Sequence, residues 1–100
     1  MTTFPDRECA SEIGEALVKM KLAACINLVL GAESIYEWKG EICREQEILG
    51  LIKTVPGKVR ELEEVMLEMH PYEQPELIVL PVSGGNEGYL DWVRSIEQEA

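Results

Sequence analysis

Two long runs rich in β-branched and aromatic residues, one on each side of Lys39-Gly40, constrain the fold more than any other feature of this sequence. Residues 22–38 precede the glycine turn and residues 41–54 follow it, so the pattern predicts a β-hairpin. Gly31 interrupts the first run, where we expect a bend or a β-bulge. Strands of about a dozen residues exceed the usual length, so the outer half of this hairpin should project from the domain.

The projecting half of the hairpin carries apolar side chains next to open strand edges, namely Ile35, Tyr36, Trp38 and Ile42. Proteins normally cover such a combination with a partner, because open edges and exposed apolar area both favour aggregation. The hairpin therefore predicts an oligomer.

Helical and strand patterns surround the hairpin. Apolar residues recur at helical spacing over residues 6–21, 59–70 and 89–96, whereas residues 76–82 form an apolar run that predicts a short buried strand. The resulting order of elements fits a β-α-β-β-α-β unit whose first strand is missing. We expect one domain over residues 1–100.

Composition narrows the class of protein. A chain of 100 residues with 46% hydrophobic and 28% charged content is typical of a folded domain. The net charge of −10 repels phosphate backbones and argues against a nucleic-acid partner. Cys9, Cys25 and Cys43 have no disulfide or zinc spacing. The sequence shows no membrane span or signal core, so we expect no membrane partner and a cytoplasmic location.

Residues 70–77 contain the only histidine together with two prolines and two carboxylates. Pro71 should end a helix at His70, and Pro75 should shape the start of the following strand. An imidazole near carboxylates can bind a divalent transition metal or carry a proton. The alternative, which the residues alone favour, is that the His70 side chain caps the last helix carbonyls.

The sequence resembles the CutA family of divalent-cation tolerance proteins over essentially its whole length. The motifs that carry this resemblance are Thr-Thr-Phe-Pro-Asp at residues 2–6, Leu-Ala-Ala-Cys-Ile-Asn at 22–27, Ser-Ile-Tyr-Glu-Trp-Lys-Gly at 34–40, Ile-Lys-Thr at 52–54, His-Pro-Tyr-Glu-Gln-Pro-Glu-Leu at 70–77 and Tyr-Leu-Asp-Trp at 89–92. The resemblance implies an α+β, ferredoxin-like fold with a long hairpin and a C-terminal helix. It also implies a homotrimer similar to the PII signalling proteins.

The resemblance further implies a non-enzymatic divalent-cation tolerance protein that binds copper or another divalent metal ion and uses no organic cofactor. The family's described copper site uses a cysteine, a histidine and a carboxylate, which correspond here to Thr2 or Thr3, His70 and Glu76. The cysteine is absent, and threonine cannot replace a soft thiolate ligand. A metal site in this chain would therefore rest on His70 and Glu76.

The amino end also departs from the family, which has a strand of about seven residues before the Thr2-Thr3 position. That strand would be central in the sheet, so its loss would leave backbone groups unpaired. We expect either a misassigned start or a trimmed chain.

Two other functions stay open. One is a PII-like sensor that binds a small anionic effector between subunits, with charge from Lys53 and stacking from Tyr72 or Trp38. The other is a trimeric scaffold for partner proteins. The sequence offers no nucleophile motif, and we expect no enzymatic activity.

Overall fold

The helices and strands follow the order that the sequence predicts, except at the amino end, where a short first strand is present, and near residue 80. A computed structural model describes residues 1–98. Its elements are β1 (Thr2–Phe4), α1 (Arg7–Lys19), β2 (Cys25–Trp38), β3 (Glu41–Lys53), a 3₁₀ turn (Pro56–Lys58), α2 (Val59–Met69), α3 (Glu87–Arg94) and a second 3₁₀ turn (Ser95–Gln98).

The predicted hairpin is the largest element. Strands β2 and β3 pair antiparallel from their base, where Cys25 opposes Lys53, up to the turn. Both turn residues have positive φ, 51° at Lys39 and 81° at Gly40, as a tight hairpin turn requires. The strand register shifts around Gly31, whose φ is 86°. The predicted turn and bulge are both confirmed. The molecule measures 47 Å along its longest axis.

Strand β1 is short but lies between two neighbours. On one side it pairs antiparallel with β3, where Thr2 opposes Gly50, and the sheet order is β1-β3-β2. On the other side Thr2 bridges to Leu77, while Met1 and Ile78 exchange two backbone hydrogen bonds of 2.8 and 3.0 Å. The first strand, which we expected to be missing, is therefore present in shortened form over three residues, with neighbours on both sides.

The prediction of a buried strand over residues 76–82 is wrong. Leu77 makes one bridge, and the residues that follow it lie outside regular secondary structure. Their apolar side chains are 45% (Ile78), 63% (Val79), 62% (Leu80) and 74% (Val82) exposed. The physical reason is that no strand within residues 1–98 lies beside residues 79–82 to accept their hydrogen bonds.

The core lies between the sheet and helices α1 and α2. Helix α1 begins at Asp6, whose carboxylate accepts a hydrogen bond from the Cys9 amide at 2.8 Å, a standard N-cap. Its buried side chains Ala10, Ile13 and Leu17 repeat at helical spacing. The main buried cluster comprises Phe4, Ala10, Ile13, Leu17, Leu22, Ala23, Ile48, Leu62 and Met66. A smaller cluster under α3 comprises Val55, Val93 and Ile96.

The outer half of the hairpin is exposed, as predicted. Ile35, Trp38 and Ile42 are 56%, 63% and 68% exposed.

The three cysteines are free thiols. Within residues 1–98 we find no helix with the length and apolar character needed to cross a membrane.

Candidate functional site

The corner that joins α2 to the segment after it, residues 70–77, forms where the sequence places it. Helix α2 ends at Met69, and His70 has an extended backbone with φ −72° and ψ 135°. The His70 amide still donates to the Met66 carbonyl at 2.9 Å. Pro71 cannot continue the helix, because it lacks an amide proton and disfavours helical geometry at His70. The predicted helix end at His70 is therefore confirmed.

The His70 ring is buried, at 6% exposure, and both of its nitrogens have hydrogen-bond partners. Nδ1 accepts from the Tyr72 amide at 3.1 Å, so Nε2 carries the ring proton and donates it to the Thr3 carbonyl at 2.8 Å. The ring also stacks on Phe4 with centroids 5.5 Å apart. The prediction that this ring caps the helix carbonyls is wrong, because the extended backbone at His70 directs the side chain toward β1 instead.

The corner as folded does not fit a metal ligated by His70. A metal needs a free imidazole lone pair, and the Nδ1 lone pair is used by Tyr72. The Glu76 residue is exposed, and its backbone carbonyl accepts the Thr2 hydroxyl at 2.6 Å. Residues 1–98 hold no cluster of three or more His, Cys, Asp or Glu side chains placed to bind a metal ion. Metal binding by His70 and Glu76 stays a prediction, and it would require the hydrogen bond from the Tyr72 backbone amide to His70 Nδ1 to break.

A buried carboxylate connects the corner to the hairpin. Glu47 on β3 is 8% exposed, and one of its oxygens accepts the Tyr72 hydroxyl at 2.6 Å. The other oxygen accepts the hydroxyl of Ser34 on β2. A carboxylate buried without such donors would destabilise the fold, so these two hydroxyl groups stabilise the charge in place. Glu47 thus ties three separate parts of the chain together.

Two tyrosines near this carboxylate are held in their neutral form. Burial, followed by the hydrogen bond to Glu47, raises the pKa of Tyr72. The hydrogen bond from Tyr36 to Glu45, 2.8 Å long, raises the pKa of Tyr36 to about 12. Both phenols therefore stay protonated, and keep donating to Glu45 and Glu47, further into the alkaline range than an ordinary tyrosine would.

The three predicted effector residues do not meet within one chain. Lys53 is at the base of the hairpin and Trp38 is at its tip. Trp38 lies thirteen positions along β2 from Cys25, the partner of Lys53, which corresponds to about 40 Å at the rise of a strand. Tyr72 lies beside Glu47, part-way along β3, with its hydroxyl engaged. A site using all three stays a prediction and would need more than one subunit.

Sequence reasoning missed Glu47, Ser34 and the Thr3 carbonyl. Glu47 looked like one more charge on the polar half of the hairpin. Its only signal was its place, directly before the apolar base that starts at Ile48. Neither Ser34 nor Tyr72 could be assigned to it, because they lie 13 and 25 residues away along the chain.

Comparisons with known proteins agree with this geometry. A sequence model of the family described as CutA1 divalent ion tolerance protein matches residues 1–96. The chain is 46% identical over 94 residues to the divalent-cation tolerance protein CutA of Thermus thermophilus, across 94% of this chain and 91% of that protein. It is 46% identical over 96 residues to human protein CutA, across 96% of this chain and 54% of the human protein. The chain therefore spans only about half the length of that human relative.

A solved structure confirms the fold. The crystal structure of CutA1 from Oryza sativa matches with a TM-score of 0.92 and 38% identity, over 95% of this chain and 87% of that chain. The α+β, ferredoxin-like fold predicted from the motifs is thereby confirmed. With the family model, the relatives and the solved structure in agreement, this chain belongs to the CutA1 divalent ion tolerance family.

Proposed function

We propose that this chain acts as a non-enzymatic homotrimer in divalent-cation tolerance, with copper or another divalent ion as its ligand and a cytoplasmic location. The observation that carries the proposal is the exposed apolar segment of residues 79–82, which has no strand beside it within residues 1–98, together with the open outer edge of β2. Together they form surfaces that match one another in chemistry. The family description supports the role in divalent-cation tolerance.

Strand pairing between subunits supports the proposed assembly. Strand β2 is an edge strand along its full length, and β1 covers only three residues of β3. Residues 79–82 offer backbone donors and acceptors with no strand beside them. A strand added to an open edge gains main-chain hydrogen bonds, and its alternate side chains gain apolar contacts. If residues 79–82 of one copy paired with the open edge of β2 in another, both the segment and the edge strand would gain backbone hydrogen-bond partners.

A charge placed in this segment tests the assembly. Leu80 is 62% exposed, so Leu80→Lys should leave the fold of one subunit intact but prevent its burial against another. Light scattering after size exclusion should give three times the 11.3 kDa chain mass for wild type and a lower mass for the variant. The control is Leu67→Lys on α2, where Leu67 is 51% exposed on the helical layer. A monomeric wild type, or a trimeric Leu80→Lys, would contradict the proposal.

Divalent-ion binding needs its own experiment. Both ring nitrogens of His70 are hydrogen-bonded in the folded chain, so whether His70 and Glu76 bind a metal must be measured directly. Calorimetric titration of copper(II) into wild type, His70→Gln and Glu76→Gln should show binding in wild type that both variants weaken. Equal heats in all three proteins would exclude His70 and Glu76 as ligands while leaving the trimer proposal standing.

A further inference from the structure

An open groove runs along α1 on the helical layer, away from the hairpin. At the start of α1 it forms a cleft of about 560 Å³ with Pro5 and Pro71 among the residues that line it. Cys9 and Met69 supply more of its apolar surface, and the buried core residue Ile13 lies beneath them. Met69 is 37% exposed although its side chain is apolar, and methionine adapts readily to different binding surfaces.

The groove continues along the helix. A second cleft of about 320 Å³ shares Glu12 and Met69 with the first and extends to Ala16 and Lys19. The stretch of α1 from Asp6 to Lys19 corresponds to a length of about 20 Å at the rise of an α-helix. The apolar floor is therefore long enough for three to four turns of a second helix, at about 5.4 Å per turn.

The rim of the groove is acidic. Asp6, Glu8, Glu12 and Glu15 line it, and its one cation, Lys19, is paired with Glu15 at 2.9 Å. On the floor, burial raises the pKa of the Cys9 thiol, and the nearby carboxylates of Asp6 and Glu12 raise it further.

We propose that this groove binds a basic amphipathic helix of a partner protein, with its apolar side chains on the floor and its lysines or arginines against the carboxylates. This mode of recognition places an apolar helix face in a groove and uses flanking charges for specificity. A second copy of the chain does not fit, because α1 and α2 carry several glutamates each and would repel the rim. Nucleic acid is excluded by the same charge.

The inference goes beyond the proposed trimer, since the groove involves neither the hairpin nor residues 78–82. Its test uses a fluorescein-labelled helical peptide of leucine and lysine, with a leucine and glutamate peptide of equal length as the comparison. Fluorescence anisotropy with the full-length protein should show salt-sensitive binding of the lysine peptide and none of the glutamate peptide.

Matched variants locate the binding. Glu12→Lys should weaken binding by about two- to fivefold, the effect expected for an exposed charge pair at the rim of an interface. Glu63→Lys makes the same charge change at an exposed position of α2 that does not line the groove, and it should leave affinity nearly unchanged.

The apolar floor has its own pair of variants. Met69→Ser should weaken binding, whereas Leu67→Ser, at a residue that is 51% exposed outside the groove, should not. If the groove variant and its control lost equal affinity for the peptide in either pair, the proposal would be overturned. The peptide would then be binding to the protein surface in general and not to the groove. Absence of binding to wild type would overturn it as well.

Discussion

Replacing His70 by alanine should destabilise the protein whether or not metal is present. The change removes the donor to the Thr3 carbonyl and the acceptor for the Tyr72 amide. Each buried group left unpaired costs about 1–3 kcal/mol, and the lost ring contact with Phe4 costs about 0.5–1.5 kcal/mol more. Allowing for partial relaxation, we expect a loss of about 3–5 kcal/mol in the free energy of unfolding.

Urea unfolding in the presence of a chelator measures this loss. Protein concentration must be equal in all samples, because the stability of the proposed trimer would depend on it. In a thermal scan the melting temperature should fall by at least about 10 °C for a domain of this length. His70→Gln is the matched variant, since its side-chain amide can still donate to the Thr3 carbonyl, and it should lose less than His70→Ala.

The metal interpretation makes the opposite prediction. A metal bound by His70 stabilises the folded state by an amount that rises with metal concentration and disappears in chelator. If His70→Ala and wild type unfold alike in chelator and differ only when copper(II) is added, the structural account of His70 is refuted.

Three further predictions test the surroundings of the corner. Gly50→Ala should destabilise the fold by about 1–3 kcal/mol, because its Cβ would lie 2.8 Å from a buried Phe4 ring carbon; chemical denaturation measures it. Burial, followed by the hydrogen bond to Glu47, raises the pKa of Tyr72 above the value of 10.0 for an ordinary tyrosine. The folded state therefore holds the phenol proton more tightly than the unfolded state, and the free energy of unfolding should fall as pH rises above 10.0. Tyr72→Phe should reduce that alkaline slope in denaturation series across pH. Asp6→Ala removes an N-cap and should cost about 1 kcal/mol, and an unchanged melting temperature would contradict it.

Local rules predicted the elements that local chemistry determines. The hairpin turn needs two residues of positive φ, and Lys39-Gly40 supplies them. Gly31 marks the bulge for the same reason. Pro71 ends α2 because its effect on the preceding backbone depends on nothing farther away.

Contacts between distant segments could not be predicted in this way. The apolar run after Leu77 has strand composition, yet strand formation needs a neighbour, and residues 1–98 provide none beside residues 79–82. The same limit applied at the site, where the partner of His70 is a backbone carbonyl on β1 and that of Tyr72 is a carboxylate on β3. Every residue has a backbone carbonyl, so the sequence cannot indicate which one His70 contacts. The folded structure was needed to identify the Thr3 carbonyl.

The open edge of β2 has a consequence for how the protein reaches its final state. On the way to the proposed trimer, a folded single chain exposes an edge strand and the apolar residues 78–82 together, and aggregating chains use the same kind of surface. Subunit encounter then competes with misassembly, and both depend on how often chains collide. The last phase of refolding should therefore be faster at higher protein concentration, while the yield of native protein passes through a maximum as concentration increases.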